Sequence, residues 1–120
     1  MKSKALVLGA SPNPSRYSWL ATTRLNDAGY EVFPIGIKEG TIGNLNIIQG
    51  KPDLKDIDTV TLYMNPKNQQ DYYDYILSLH PRRIIFNPGT ENPELYEIAK
   101  QAGIETIEAC TLVMLSTGQY

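Results

Sequence analysis

Leu6-Val7-Leu8-Gly9-Ala10-Ser11-Pro12-Asn13-Pro14-Ser15-Arg16-Tyr17-Ser18 is the stretch on which the fold of this chain turns. An apolar run ends in a glycine. A hydroxyl-rich, proline-stiffened loop with one arginine follows, and a helical pattern begins directly after it. A strand–loop–helix junction gathers backbone N–H groups and a helix N-terminus at one point, which favours a phosphate. The loop is not the dinucleotide fingerprint G-x-G-x-x-G, because Gly9 has no glycine partners at that spacing.

Working outward, residues 4–9 read as a strand that is apolar throughout, as expected of a central parallel strand. Residues 15–28 read as a helix with Leu20, Ala21, Leu25 and Ala28 on one side, stopped by Gly29. Residues 31–35 form a second strand, cut short by Pro34 and Gly36. Glycines and a proline punctuate 38–56, where 46–49 reads as a short edge strand. Beyond lie a strand at 58–63, a helix over 66–79, a strand at 83–86, a helix over 93–102 and a strand at 105–108. Tyr72, Tyr75, Ile76 and Leu79 share one face of the first of these helices. Leu95, Ile98, Ala99 and Ala102 share one face of the second. The last dozen residues fit either a helix or a coil.

Strands alternating with helices predict an α/β fold on a parallel sheet. Ala28-Gly29-Tyr30-Glu31-Val32 and Ala102-Gly103-Ile104-Glu105-Thr106 repeat one grammar, helix end to glycine to strand, as two mononucleotide-binding halves would. Asn13-Pro14, Asn65-Pro66 and Asn92-Pro93 each precede a predicted helix. Asparagine is a good N-cap, and proline suits the first helical position, where its missing N–H costs nothing. These junctions also lie at the carboxyl ends of strands, where open parallel sheets bind ligands.

The bulk properties set limits. A chain of 120 residues fits one domain, 1–120. A domain of that size buries about 65% of its unfolded surface, enough for one core. A net charge of −2 gives no general nucleic-acid surface. One cysteine, Cys110, leaves no internal disulfide and fits a reducing compartment, so the expected location is the cytoplasm. Lys2 and Lys4 before Ala5–Ala10 imitate a secretion signal only faintly, because the apolar run is too short. No segment approaches the ~20 apolar residues of a membrane helix. The segment 46–49 and the last dozen residues are both open to a subunit interface, with a homo-oligomer or another protein partner.

An ordinary NAD site needs an acid at the end of the second strand for the ribose hydroxyls. Here the strand runs out as Phe33-Pro34-Ile35-Gly36-Ile37-Lys38, and the first charged group is a cation. A cation there suits a ribose phosphate, such as the 2′-phosphate of NADP or the 3′-phosphate of coenzyme A; a solvated loop lysine is the plain alternative. Arg16 would stand near a helix start, where cations are disfavoured unless an anion is present. Phosphate contact and surface solvation are both open for it. Ser11 and Ser15 fit caps or phosphate donors equally.

The opening Gly9-Ala10-Ser11-Pro12-Asn13-Pro14-Ser15-Arg16-Tyr17-Ser18 resembles the G-x-S-x-x-x-x-R-x-S start of the small bacterial and archaeal CoA-binding proteins, relatives of the N-terminal domain of the succinyl-CoA synthetase alpha subunit. Gly29-Tyr30-Glu31-Val32-Phe33-Pro34 with Lys38 resembles that family's second-strand segment. Ile57-Asp58-Thr59-Val60 resembles its next strand start, and Glu97 to Ile104 its helix end. The resemblance covers nearly the whole chain. It implies a three-layer Rossmann-like fold: a parallel sheet of five to six strands with helices on both faces. It implies binding of coenzyme A or an acyl-CoA. Gly9, Ser11, Asn13 and Arg16 would serve the diphosphate, Pro34 and Lys38 the adenosine and its 3′-phosphate, and Tyr17 is a further cofactor-binding candidate. Tyr63, Met64 and Asn65 would line the crevice, with Asn87 and Gly89 near the pantetheine. Gly36-Ile37, Asn65 and Asn87-Pro88-Gly89 depart from the family's pattern.

No metal-ligand cluster and no nucleophile–base pair is visible in the sequence, so a binding module without catalysis is expected. His80 precedes Pro81 at a helix end, where a cation is favoured, and reads as a capping or solvated histidine. Cys110 reads as a small buried hydrophobe, with a mixed disulfide to CoA as the sharper alternative. The rival functions are an NAD- or NADP-binding redox sensor and a scaffold with a degenerate nucleotide site.

Overall fold

The computed structural model describes residues 2–120. Five strands form one parallel sheet: β1 (Lys4–Leu8), β2 (Glu31–Ile35), β5 (Ile57–Leu62), β6 (Arg83–Phe86) and β7 (Glu105–Glu108), in the order β2-β1-β5-β6-β7. Helices cover both faces. On one lie α2 (Pro66–Gln69), α3 (Tyr73–Leu79) and α4 (Pro93–Gln101), whose Ile76, Leu95 and Ala99 pack on Leu6, Leu8, Val60, Leu62, Ile84 and Phe86. On the other lie α1 (Tyr17–Asp27) and α5 (Thr111–Ser116), where Leu25, Leu115 and Tyr120 pack with Ala5, Val7 and Val32. Central strands covered on both faces must be apolar on both, which is why Ala5–Leu8 carries no alternation. This is the expected three-layer Rossmann-like fold.

The segment 46–49 is not an edge strand of the main sheet. Thr41–Ile42 (β3) and Leu45–Asn46 (β4) form a small antiparallel hairpin around Gly43-Asn44, a turn pair that closes tightly. Only Ile48 then reaches the sheet. Its N–H donates to Pro34 O (2.8 Å), and its carbonyl accepts from Gly36 N–H (3.1 Å), capping the outer edge of β2.

The helix expected over 66–79 is interrupted. A 3-10 turn, Gln70–Tyr72, separates α2 from α3, and the side chain of Gln69 at the break is fully buried. Asn65 and Asn92 cap as expected: Asn65 accepts from Asn68 N–H, and Asn92 accepts from the N–H groups of Glu94 and Leu95. Asn13 does not cap α1. Its Oδ1 accepts from Ser15 N–H (3.0 Å) and Ser15 Oγ (2.8 Å), so Asn13-Pro14 builds a turn ahead of the helix. The cap position falls to Arg16. The closing segment forms α5, and Arg83 holds its guanidinium 4.6 Å from the Tyr120 ring centre.

At the amino end of β5, Arg82 donates to both oxygens of Asp58 (2.8 and 3.1 Å), and Thr59 Oγ1 donates to Asp58 Oδ2 (2.7 Å). The Arg82 bonds hold the Asp58 carboxyl below the usual carboxylate range, against the opposing cost of burial. A lowered folded-state pKa stabilises the fold above the unfolded value of about 4 and is lost as pH falls below it. With Arg82 largely exposed, the pair is worth under about 1 kcal/mol. Asp58→Asn is expected to flatten the stability loss below about pH 4 in acid titration followed by circular dichroism.

Candidate functional site

From β1 the chain moves outward to β2, then returns across β1 to β5 on its other side. The loops leaving β1 and β5 therefore part in opposite directions, and a crevice opens at their carboxyl ends. This is the switch point where doubly wound sheets take ligands. A cleft of about 760 Å³ lies there. Gly9–Pro12 and Arg16–Ser18 form its first wall, and Gly36–Lys38 its second. Tyr63–Asn65, Asn68, Asp71 and Tyr72 form the third, with Pro88–Thr90 beside them.

The backbone is drawn tightly together beneath the cleft. Ile35 O accepts from both Gly9 N–H and Ala10 N–H (2.9 Å each), and Leu8 O accepts from Tyr63 N–H (2.8 Å). Gly9 has φ +103°, and a Cβ on it would lie 2.9 Å from the Tyr63 carbonyl carbon. Gly36 is constrained more severely, since its Cβ would lie 2.2 Å from Ala10 O. Two glycines from different strands thus let three strand ends converge. Ser11 Oγ accepts from Asn13 N–H (3.1 Å), which shapes the loop tip.

Helix α1 begins at this cleft with no side-chain cap and no acidic residue in its first turn. The N–H groups of Tyr17 and Ser18 and the positive end of its dipole stay available to an anion. Arg16 and Lys38 add two exposed cations, and neither makes an ion pair among the described residues. Two large apolar side chains stand exposed at the rim, Tyr17 at 75% and Ile37 at 82%. Exposed apolar groups beside unpaired cations suit a ligand with phosphates and flat or apolar parts. The Tyr63 hydroxyl is buried without a hydrogen-bond partner, and burial pushes its pKa above the ordinary tyrosine range.

Of the residues singled out in sequence, Gly9, Ser11, Arg16, Tyr17, Lys38, Tyr63, Asn65 and Gly89 come together around the cleft, as does Met64. Asn13, Pro34 and Asn87 do not line it. Asn13 spends its side chain on Ser15. Pro34 is buried inside β2, paired with Val7. Asn87 is 1% exposed: Nδ2 donates to Thr61 Oγ1 (2.7 Å) and Leu62 O (2.8 Å), while Oδ1 accepts from Thr111 N–H (2.8 Å). It fastens α5 to the sheet behind the cleft. Cys110 is half-buried and does not itself line the cleft, though it lies near Tyr63, which does. His80 ends α3 in a left-handed conformation (φ +47°), the C-cap position expected of it.

Sequence reasoning missed Gly36, Ile37, Asn68, Asp71, Tyr72 and Thr90 as cleft residues. Asp71 and Tyr72 read as one flank of an amphipathic helix, and only the 3-10 turn carries them to the rim. Gln69 was missed too. Its Nε2 donates to Met64 O and Thr90 O (2.8 Å each), and its Oε1 accepts from Asn92 Nδ2 (2.9 Å). A fully buried glutamine thereby ties the β5 exit to the β6 exit.

A family model described as CoA binding domain matches residues 3–116. Among solved structures, one titled only as an uncharacterized protein is 52% identical over 100% of this chain and 99% of its own, with a TM-score of 0.97. A hypothetical protein from Pyrococcus horikoshii OT3 is 26% identical, covering 97% of this chain and 82% of its own at a TM-score of 0.83. A conserved hypothetical protein from Pyrococcus furiosus is 27% identical, covering 94% and 98% at 0.79. No curated protein matches. Among the described residues, no helix is long and apolar enough to cross a membrane.

Proposed function

This chain belongs to the CoA-binding domain family, and we propose that its switch-point cleft binds coenzyme A or an acyl-CoA, without catalysis of its own. One observation carries the reading: an uncapped helix N-terminus and two unpaired cations share one cleft. The diphosphate is assigned to the start of α1, with Gly9 giving close backbone approach and Ser11, Arg16 and Tyr17 around it. Lys38 takes the 3′-phosphate. Tyr63, Asn65 and Gly89 lie along the pantetheine path, while Asn13, Pro34 and Asn87 support the cleft from behind. Neither His80 nor Cys110 lines the cleft. Residues 1–120 act as one such unit, working in the cytoplasm.

Thermal shift with CoA, dephospho-CoA, NADP and NAD at equal concentration tests this. A ligand at ~100 times its Kd adds ~2.7 kcal/mol of stability. CoA is expected to stabilise most. Stabilisation by NADP and not by CoA would overturn the reading in favour of a redox sensor, and no response to any of them would favour a scaffold. Lys38→Ala is expected to weaken CoA by ~1.5–3 kcal/mol, the range of a charged hydrogen bond, and to leave dephospho-CoA nearly unchanged. Arg16→Ala is expected to weaken both. Titration calorimetry of the two ligands on the two variants separates the roles.

A further inference from the structure

Lys38 stands at the middle of an exposed loop, residues 37–39, between Gly36 and Gly40. Segment 47–49 holds both ends of that loop. Gly36 N–H donates to Ile48 O (3.1 Å), and Ile47 N–H donates to Gly40 O (2.9 Å). Among the described residues, the loop itself takes one hydrogen bond, donated by Gln49 Nε2 to Ile37 O (2.9 Å). The chain on either side of Gln49 is fixed. Before it, Ile48 N–H donates to Pro34 O (2.8 Å). After it, Lys51 Nζ donates to Asp71 O (2.6 Å) and lies over the Tyr72 ring, and the Tyr75 hydroxyl donates to Pro52 O (2.6 Å). A strap over residues 47–52 is thus tied to β2 at one end and to the wall after β5 at the other. Gln49 itself does not line the cleft.

We propose that Gln49 is a positioning residue for Lys38: by holding the Ile37 carbonyl it fixes the loop in which Lys38 meets the 3′-phosphate, and so sets how strongly the cleft prefers CoA over its 3′-dephospho form. The inference rests on the CoA reading above, with Lys38 at the 3′-phosphate. A lysine on a loose loop must be ordered when the phosphate arrives, and that ordering subtracts from affinity. A loop already held in place loses less. Ile37 O belongs to the planar peptide unit that leads into Lys38, so a bond to it acts directly on the backbone that carries the lysine. The diphosphate is assigned to the start of α1, on the other wall. Loss of the Gln49 bond is therefore felt at the 3′-phosphate and not at the diphosphate.

The test is calorimetric titration of CoA and dephospho-CoA into the full chain, Gln49→Met, Lys38→Ala and the double variant. Methionine keeps the length of glutamine and removes the donor. Gln49 is exposed, so the variant is expected to fold normally. The parent is expected to bind CoA about tenfold or more tighter than dephospho-CoA. Gln49→Met is expected to weaken CoA about threefold to tenfold, the worth of one hydrogen bond, and to leave dephospho-CoA within about twofold. With Lys38→Ala already present, Gln49→Met is expected to have no further effect on CoA, because the two residues act through one contact. An unmoved CoA affinity in Gln49→Met, equal losses for both ligands, or the same loss with Lys38 removed would each overturn the positioning role while the CoA reading stood. Equal binding of CoA and dephospho-CoA by the parent would remove the Lys38 contact and this inference with it, leaving CoA binding in place. If CoA did not bind at all, the CoA reading and this inference would fall together.

Discussion

Replacing Gly36 by alanine is expected to unfold the cleft, and much of the protein's stability with it. The added Cβ would sit 2.2 Å from Ala10 O, an overlap with backbone and not with a side chain that could swing away. Ala10 cannot retreat easily, because its N–H and that of Gly9 are both bonded to Ile35 O, the residue just before Gly36. Relief requires parting the ends of β1 and β2. Overpacking of this kind costs about 3 kcal/mol or more. A loss of that size lowers Tm by roughly 10 °C or more in a domain of this length, measurable by calorimetry. Because the same two strand ends carry the loop and Lys38, CoA binding is expected to fall with it. Gly9→Ala pairs a tight contact with Tyr63 with a positive φ, and is expected to show the same combined loss.

Gln69→Leu is expected to be nearly as damaging, through lost hydrogen bonds. The substitution removes the donors to Met64 O and Thr90 O, and one acceptor of Asn92 Nδ2. Asn92 keeps the Tyr73 hydroxyl as partner, but the two carbonyls are stranded at the base of the cleft. Each buried polar group left unpaired costs about 1–3 kcal/mol, so about 3 kcal/mol in total is expected. Gln69→Glu sharpens the test. Its carboxylate would face two carbonyls, so its pKa rises above the unfolded value of about 4.3. A raised folded-state pKa means the variant loses stability as pH rises past that value and regains part of it below about pH 5. Urea titrations at neutral and acid pH would show the crossing. Equal stability of Gln69→Leu and the parent would remove Gln69 from this role.

Much of the architecture was legible in the sequence because it is specified locally. The strands at 31–35, 83–86 and 105–108 are short β-forming runs between breakers, and their observed bounds match. Asn65-Pro66 and Asn92-Pro93 start helices through bonds that span two or three residues. Asn13-Pro14 carries the same local signal and builds a turn instead, because its asparagine finds Ser15 before a helix can form. The 3-10 break at Gln70 was not legible, since the apolar spacing of Tyr72, Tyr75, Ile76 and Leu79 continues across it.

By itself the sequence determined the α/β alternation, the strand that ends at Gly9 and leads through a loop into a helix, and the cation Lys38 just past the second strand. Those depend on the period of apolar residues and on the chemistry of neighbours in the chain. Only the tertiary structure decided which groups meet across the cleft. Gly36 is required by a carbonyl just past the end of β1, Gln69 by a loop 21 residues away at Thr90, and Asp71 lines the same cleft as Arg16 and Lys38 only because the strand order reverses beside β1. Such contacts arise from strand order and register, which bring together residues whose local sequence carries no trace of the partner.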